Sequence, residues 1–557
     1  MVWRIHAVYL SIVIFFLLIL FRLFYWQVLS SDELGGQAEK QRNTKLPIPA
    51  LRGEIFASDG SPLVINQEAF GVYIEPSKST DVSKSISALS QILNIPESTI
   101  SSHISSSSVW VPIKHKVEEQ DVLRIKASLA SGISFTEESK RFYPEGSMSA
   151  HLLGFVGKNS KGDDQGYFGI EGYYDEQLRG VDGVVREEVD ASGNPILSGN
   201  RNNIPPKNGR SLVLYLDKTI QFIVEKNLKA GIARYGAKGG TVIVMDPITG
   251  GILAMASYPS YGQNDFIDYP EMYYKNPAVS ASYEPGSTFK TLVMATAFNE
   301  RKITSTMKFQ EDGPIEIGGF TIRTWNQKYH GEVTPTEILQ YSSNVGMVMV
   351  QKTLEDTVFL KYLSELGIGS LTGIDLQDES TPNLRPKGMW YEIDYATASF
   401  GQGIAVTPLQ MVRAVSAIAN GGKLMRPYVV KEIRLDTGEV ISIGPHVDRT
   451  VFRPEVARIV TEMMVSAVDS GEARRLKPPG FRIAGKTGTA QIPIAGHYDS
   501  DKTIASFVGF GPVDSPRFTM LVTIQEPTSS PWGSETAAPI FFATAKEIFS
   551  YLNVSPS

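Results

Sequence analysis

The chain contains no cysteine. That excludes disulfides, thiolate nucleophiles and cysteine-based zinc sites at once, so the compartment has to be read from other features. Histidine is scarce: His6, His103, His115, His151, His330, His446 and His497 stand far apart, and none forms a H-E-x-x-H pair or a similar ligand spacing. No metal and no cofactor are expected. Positive charge is not in excess either. With 53 Lys and Arg against 59 Asp and Glu, the net charge is −6, and no basic cluster interleaved with aromatics offers a field for a phosphate backbone. Nucleic acid is therefore not an expected partner. Compositional bias is also lacking: 49 glycines and 32 prolines are spread along 557 residues, and 42% of the chain is hydrophobic. This is the composition of a globular protein with two or three folded units.

One long apolar run stands out. Ala7 to Leu29, AVYLSIVIFFLLILFRLFYWQVL, spans about 34 Å as a helix, enough to cross a hydrocarbon core with some tilt. A cleaved signal peptide needs a shorter apolar core and a small-x-small cleavage site, whereas this run passes into LSSDELGG. The span is read as an uncleaved anchor. Arg4 precedes it and Asp32 and Glu33 follow, which puts residues 1–6 in the cytoplasm and the remainder outside the plasma membrane. Two readings stand for Arg22: snorkelling toward the outer interface, or pairing with another membrane protein.

After the anchor, residues 30–51 read as a polar stalk that ends at prolines. Residues 52–209 mix β-like runs (FGVYIEP, VWVPIKHKV) with helical stretches such as EEQDVLRIKASLA. They read as an irregular α+β pedestal without catalytic groups, and SSHISSSSV within it reads as a surface loop. RNNIPPKNGR reads as a linker. Residues 210–557 then form a separate domain. Its opening GTVIVMDPITGGILAMAS predicts a hairpin suited to the middle of a buried sheet. Thr334-Pro335-Thr336-Glu337 and Thr407-Pro408-Leu409-Gln410 carry the residues of capping boxes. FRIAGKTGTAQ, TIASFVGFGP and RFTMLVTIQEP return to strand periodicity before a last apolar helix. Strands at both ends with helices between predict one sheet closed by the two termini, an α+β fold.

Three short motifs could carry chemistry. In YEPGSTFKTLVMATAF a Pro-Gly turn leads into a helix with Ser287 in its first turn and Lys290 three residues on, so hydroxyl and amine share a face. A serine needs a base, and a lysine serves as one when burial lowers its pKa; Phe289, Leu292, Val293, Met294 and Phe298 make this helix apolar nearly all round. The helix start also offers N–H groups to an oxyanion. In Tyr341-Ser342-Ser343-Asn344 a helix breaks into small polar residues before VGMVMVQKTL. In Lys486-Thr487-Gly488-Thr489 a glycine lets a substrate backbone lie along a strand, with threonine hydroxyls for a carboxylate. Each motif alone is weak. Gly480 to Thr487 also fits G-x-x-x-x-G-K-[ST] letter for letter. A phosphate loop, however, needs a strand before it and a helix after it, and prolines and strand-like residues stand there instead.

Taken in order, Ser287-x-x-Lys290, Ser342-x-Asn344 and Lys486-Thr487-Gly488 match the active-site motifs of penicillin-binding proteins and serine β-lactamases. YEPGSTFK, QYSSNVG, SFGQGIAVTPLQM and AGKTGTAQ, with RGEIF, RFYPEGS, GFVG and GIEGYYDEQLRGVDG earlier, make nearly the whole extracellular chain resemble the monofunctional class B penicillin-binding proteins. The wording is closer to their cell-division branch than to the elongation branch. The resemblance implies a pedestal (dimerisation-like) domain and a transpeptidase domain with an antiparallel sheet flanked by helices. It implies that Ser287 attacks a stem-peptide D-Ala-D-Ala bond with Lys290 as base, that Ser342 relays a proton, and that Asn344 holds the stem-peptide amide. The resemblance further implies that Lys486 keeps the field positive, that Ser287 and Thr489 N–H form the oxyanion hole, and that Thr487 and Thr489 bind the carboxylate beside Gly488. The partners implied are peptidoglycan stem peptides, β-lactams as covalent inhibitors, a SEDS-type glycan polymerase and divisome proteins. Where the family usually has Asp-Arg after R-G-x-I-x, this chain has Ala57-Ser58. Alternatives are a D,D-carboxypeptidase or β-lactamase, a non-catalytic membrane scaffold or sensor that activates a glycan polymerase, and an elongation-type transpeptidase.

Overall fold

A computed structural model of the chain describes residues 2–104, 110–188, 196, 201–494 and 497–556. These form two compact units: Met1–Arg52 with Arg179–Gly209, and Gly53–Leu178 with Arg210–Ser557.

The first unit opens with the apolar helix, which starts at Val2 and runs to Phe24 before widening into a π-turn over Tyr25–Leu29. Val2–Leu29, 28 residues with a mean hydropathy of 2.6, is long and apolar enough to cross a membrane. Near its end the Arg22 guanidinium lies 4.9 Å over the Trp26 ring. This cation–π contact among interface-seeking aromatics favours the snorkelling reading of Arg22. The segment read as a stalk is ordered: a helix over Ser31–Arg42 passes into a strand over Asn43–Ile48. That strand pairs antiparallel with Gly183–Glu188, which pairs in turn with Arg201–Ile204. RNNIPPKNGR is thus not a free linker. Its first four residues are a strand, consistent with the extended backbone that Pro205 imposes on Ile204 before it.

In the second unit the strand Pro62–Ile74 organises the pedestal, pairing with Ile55–Phe56, Val111–Val117 and Ile133–Phe142. Of the serine run, Ser101-Ser102-His103 closes the helix Glu97–His103, and residues 105–109 lie outside the described residues. Behind the outer end of Pro62–Ile74 sits a small core of Val72, Ile74, Leu89, Val111 and Val122. Further in, Arg141 Nε donates to Glu171 Oε1 at 2.7 Å, both side chains buried. The next strand, Ser211–Leu214, lies parallel to Ile55–Phe56 and antiparallel to Val430–Arg434, so one sheet crosses position 210. Accordingly, Ile55, Leu63, Leu152 and Ile170 share a single core with Leu212, Phe289, Leu292 and Val412.

A second, five-stranded antiparallel sheet has the order Ile252–Tyr258, Gly239–Met245, Phe518–Gln525, His497–Gly511, Ala484–Ile494. It does join the two ends of the segment. The helices Lys218–Tyr235 and Ala537–Tyr551 pack on one face through Ile220, Val224, Phe541 and Phe549. The helices Lys290–Asn299, Pro408–Ala419 and Pro454–Ser470 form a bundle on the other. Both capping boxes form, Thr334 with Glu337 and Thr407 with Gln410. The predicted hairpin is present, but at one margin of the sheet and not in its middle. At Met255 the open edge of its outer strand is satisfied by Gln221, whose amide accepts from Met255 N at 2.8 Å and donates to Met255 O at 2.9 Å. A side chain here replaces the missing neighbour strand.

Candidate active site

At the far margin of the same sheet the Ala484–Ile494 strand lies against the turn that carries Ser287. Gly286 has φ +56°, its N–H donates to Gly401 O at 3.0 Å, and a Cβ here would stand 2.7 Å from Thr489 O. Both the left-handed backbone and the close approach demand glycine. Ser287 sits in a single 3₁₀ turn, Gly286–Thr288, just ahead of the α-helix Lys290–Asn299 and not inside it. Every residue of that helix from Lys290 to Phe298 is buried, as the apolar run predicts.

Lys290 is fully buried, and its Nζ donates to Ser342 O at 2.6 Å and to Asn344 Oδ1 at 2.8 Å, with Ser342 Oγ at 3.3 Å. Burial, and next the positive charge of Lys486, hold this amine well below the usual lysine range; Glu472 and Glu311 oppose them. The two carbonyl-type partners consume two N–H bonds. An uncharged amine has no more to give and keeps a lone pair, which makes it a proton acceptor for a nearby hydroxyl. The direct pairing of Ser287 with Lys290 expected from S-x-x-K is not formed: no hydrogen bond joins the two side chains, and the amine is drawn toward the second motif. Catalytic contacts of this kind commonly close only with substrate bound.

The second motif owes its shape to Ser342, a non-glycine residue at φ +55°, which turns its carbonyl onto Lys290. Ser343 then caps the helix Asn344–Lys352. Its Oγ accepts from Gly346 N at 2.8 Å and donates to Glu311 Oε1 at 2.7 Å. Glu311 is buried, and desolvation raises its pKa. Asn344 Nδ2 donates to Arg323 O at 3.1 Å.

On the strand, Lys486 is buried and its pKa is pushed down to about 8, chiefly by desolvation and against the field of Glu472. Its Nζ donates to Thr487 O and Oγ1, each at 3.2 Å. A Cβ on Gly488 would meet Ser506 Oγ at 2.5 Å, Thr288 Cγ2 at 2.8 Å and Pro285 O at 2.9 Å, so the glycine lets the strand press on the serine turn. Thr489 Oγ1 accepts from Gly533 N at 3.0 Å. Lys486 and Thr487 stand within the strand Ala484–Ile494, and the next element is another strand, which removes the phosphate-loop match.

These elements enclose a cleft of about 370 Å³ lined by Ser287, Ser342, Asn344, Thr487, Gly488 and Thr489, with Lys290 and Lys486 buried beneath. All eight residues singled out in the sequence thus meet at one place. Trp325 and Trp532, with rings 5.1 Å apart, also line the cleft, as does Glu472. None of these three, nor Glu311, belongs to a motif with a local signal; they arrive on separate loops and a short strand.

Residues 240–546 match the penicillin binding protein transpeptidase domain, and residues 47–214 the penicillin-binding protein dimerisation domain. Stage V sporulation protein D of Bacillus subtilis is 35% identical over 99% of this chain and 86% of its own length. The peptidoglycan D,D-transpeptidase FtsI of Escherichia coli is 29% identical over 100% of this chain and 92% of its own. The crystal structure of penicillin binding protein 3 from Mycobacterium tuberculosis, complexed with aztreonam, superposes with a TM-score of 0.71 at 25% identity, covering 92% of this chain and 98% of that one. With a transpeptidase match over more than half its length, a dimerisation domain ahead of it and an apolar N-terminal helix, the chain belongs to the penicillin-binding proteins, in their class B form.

Proposed function

We propose that the protein is a peptidoglycan D,D-transpeptidase working through an acyl-enzyme on Ser287. The observation that carries this reading is the buried Lys290 amine, its pKa lowered by burial and a second lysine, bonded to Ser342 and Asn344 at the floor of the cleft onto which Ser287 opens. Ser287 Oγ attacks the penultimate D-alanine carbonyl of a donor stem peptide while Lys290 takes its proton. The C–Oγ bond forms, the C–N bond to the terminal D-alanine breaks, and the proton returns to the leaving amine through Ser342. Ser287 and Thr489 N–H receive the oxyanion, Thr487 and Thr489 hold the carboxylate with Lys486 adding positive field, and Asn344 holds the donor amide along Gly488. An acceptor amine then displaces Ser287 and completes the cross-link.

The N-terminal helix anchors the chain, with residues 1–6 cytoplasmic and the catalytic cleft outside the membrane. The pedestal, residues 52–209, and the anchor are the surfaces offered to a SEDS-type polymerase. Similarity to FtsI supports a septal site of action; the higher identity to a sporulation protein favours sporulation as the second reading. Fluorescent tagging of the full chain through growth and sporulation separates them. The enzymatic reading is tested with labelled penicillin, which should acylate the native protein stably and leave Ser287→Ala unlabelled. Labelling of the variant overturns the nucleophile, and rapid release of the label from the native protein converts the reading to a hydrolase.

A further inference from the structure

The cleft contains an ionisable side chain that the mechanism above does not use. Among the described residues lining it Glu472 is the single charged one; the rest are hydroxyl, amide, aromatic, glycine or proline residues. It follows the helix Pro454–Ser470 and its terminal Gly471, its side chain is exposed, and among the described residues no ion pair or hydrogen bond engages its carboxylate. The same residue lines a small adjoining cavity with Lys486 and Thr487. Its negative charge therefore stands at the surface of a cleft whose floor carries two buried lysines, and its field reaches both of them.

We infer that Glu472 is an acceptor-specificity residue: its carboxylate gathers the ammonium form of the incoming amine at the mouth of the cleft, beside the acyl group on Ser287. This rests on the transpeptidase reading. The chemistry creates the need. In the second half-reaction an acyl ester and R–NH₃⁺ give an amide, free Ser287 and one proton: the C–N bond forms, the C–Oγ bond breaks, and of the two protons lost by nitrogen one goes to Oγ and one leaves through Lys290 to solvent. An alkyl amine reaches the protein as a cation, and the positive charge of Lys486 at the floor of the site disfavours it. A single exposed carboxylate of opposite sign offsets that repulsion and raises the local concentration of the acceptor over that of water, which competes for the same ester.

The test uses the full chain in detergent, a thioester donor that acylates Ser287, and two acceptors: a cationic alkyl amine, and hydroxylamine, which is uncharged near neutral pH. Glu472→Gln should lower the aminolysis-to-hydrolysis ratio with the cationic amine by about 3- to 10-fold and leave the ratio with hydroxylamine unchanged. Glu472→Lys should lower it further, and added salt should narrow the difference between native and variant. The rate of acylation by labelled penicillin, which involves no acceptor, is read in parallel. Equal ratios with both amines in native and variant overturn the inference, and so does a fall in acylation itself, which would place Glu472 in support of Lys486. Absence of acylation in the native protein would instead overturn the transpeptidase reading.

Discussion

At the scale of single residues, the proposed mechanism depends on removing one proton from one lysine. Burial and the Lys486 charge lower the Lys290 pKa, so the uncharged fraction near neutral pH exceeds that of a free lysine and grows as pH rises. Protonation consumes the lone pair that must accept the Ser287 proton. The second-order rate of acylation by labelled penicillin should therefore fall as pH is lowered through that depressed value. Lys290→Met should cut the rate by about 10²- to 10⁴-fold and flatten this acid limb, while circular dichroism stays that of the native protein. A variant that keeps the same limb would place the titration elsewhere. Ser287, Lys290, Ser342, Asn344 and Lys486 were legible in the sequence because each short motif fixes its own neighbours. Glu472, Glu311, Trp325 and Trp532 were not, since a glutamate or tryptophan on a loop has the same local appearance whether it faces solvent or a cleft.

At the scale of elements, the margin strand and the serine turn are held at backbone distance by glycine. Gly488→Ala puts a methyl where Ser506, Thr288 and Pro285 already stand. Two of those obstacles are side-chain ends and the third is a carbonyl, so the strand must move outward. Acylation should drop by about tenfold or more, because Thr489 N–H leaves the place proposed for it beside the oxyanion, and unfolding in denaturant should show a loss of about 1–3 kcal/mol. Unchanged kinetics would mean that the strand does not set the geometry. The helices around this contact could be read beforehand because a Thr-Pro-x-Glu or Thr-Pro-x-Gln string contains the donors and acceptors of its own cap. The marginal position of the Gly239–Tyr258 hairpin could not, because Gln221, which satisfies its outer strand, lies on a preceding helix. RNNIPPKNGR reads as a linker because polar residues beside prolines carry no period-2 signal, although its first four residues pair with the preceding strand Gly183–Glu188.

At the scale of the whole molecule, the boundary near residue 210 is a change of sequence character crossed by a continuous sheet. Ser211–Leu214 has Ile55–Phe56 as its neighbour, and Ile55, Leu63, Leu152 and Ile170 fill the core that also holds the Lys290 helix. A chain of residues 210–557 alone loses that strand and those side chains. It should aggregate or fail to label with penicillin, whereas residues 30–557 should label at the native rate. Full labelling of the shorter chain would show the pedestal to be dispensable for folding. Finally, Pro62–Ile74 is one unbroken ribbon of 13 residues, about 43 Å long. Its inner end buries Leu63 and Val64 in the core that also holds Phe289 and Leu292, and its outer end carries a lobe with a small core of its own. Such a cantilever converts a push on the lobe into torque at the root, so a molecule gripping the outer lobe holds a handle rigidly joined to the catalytic machinery.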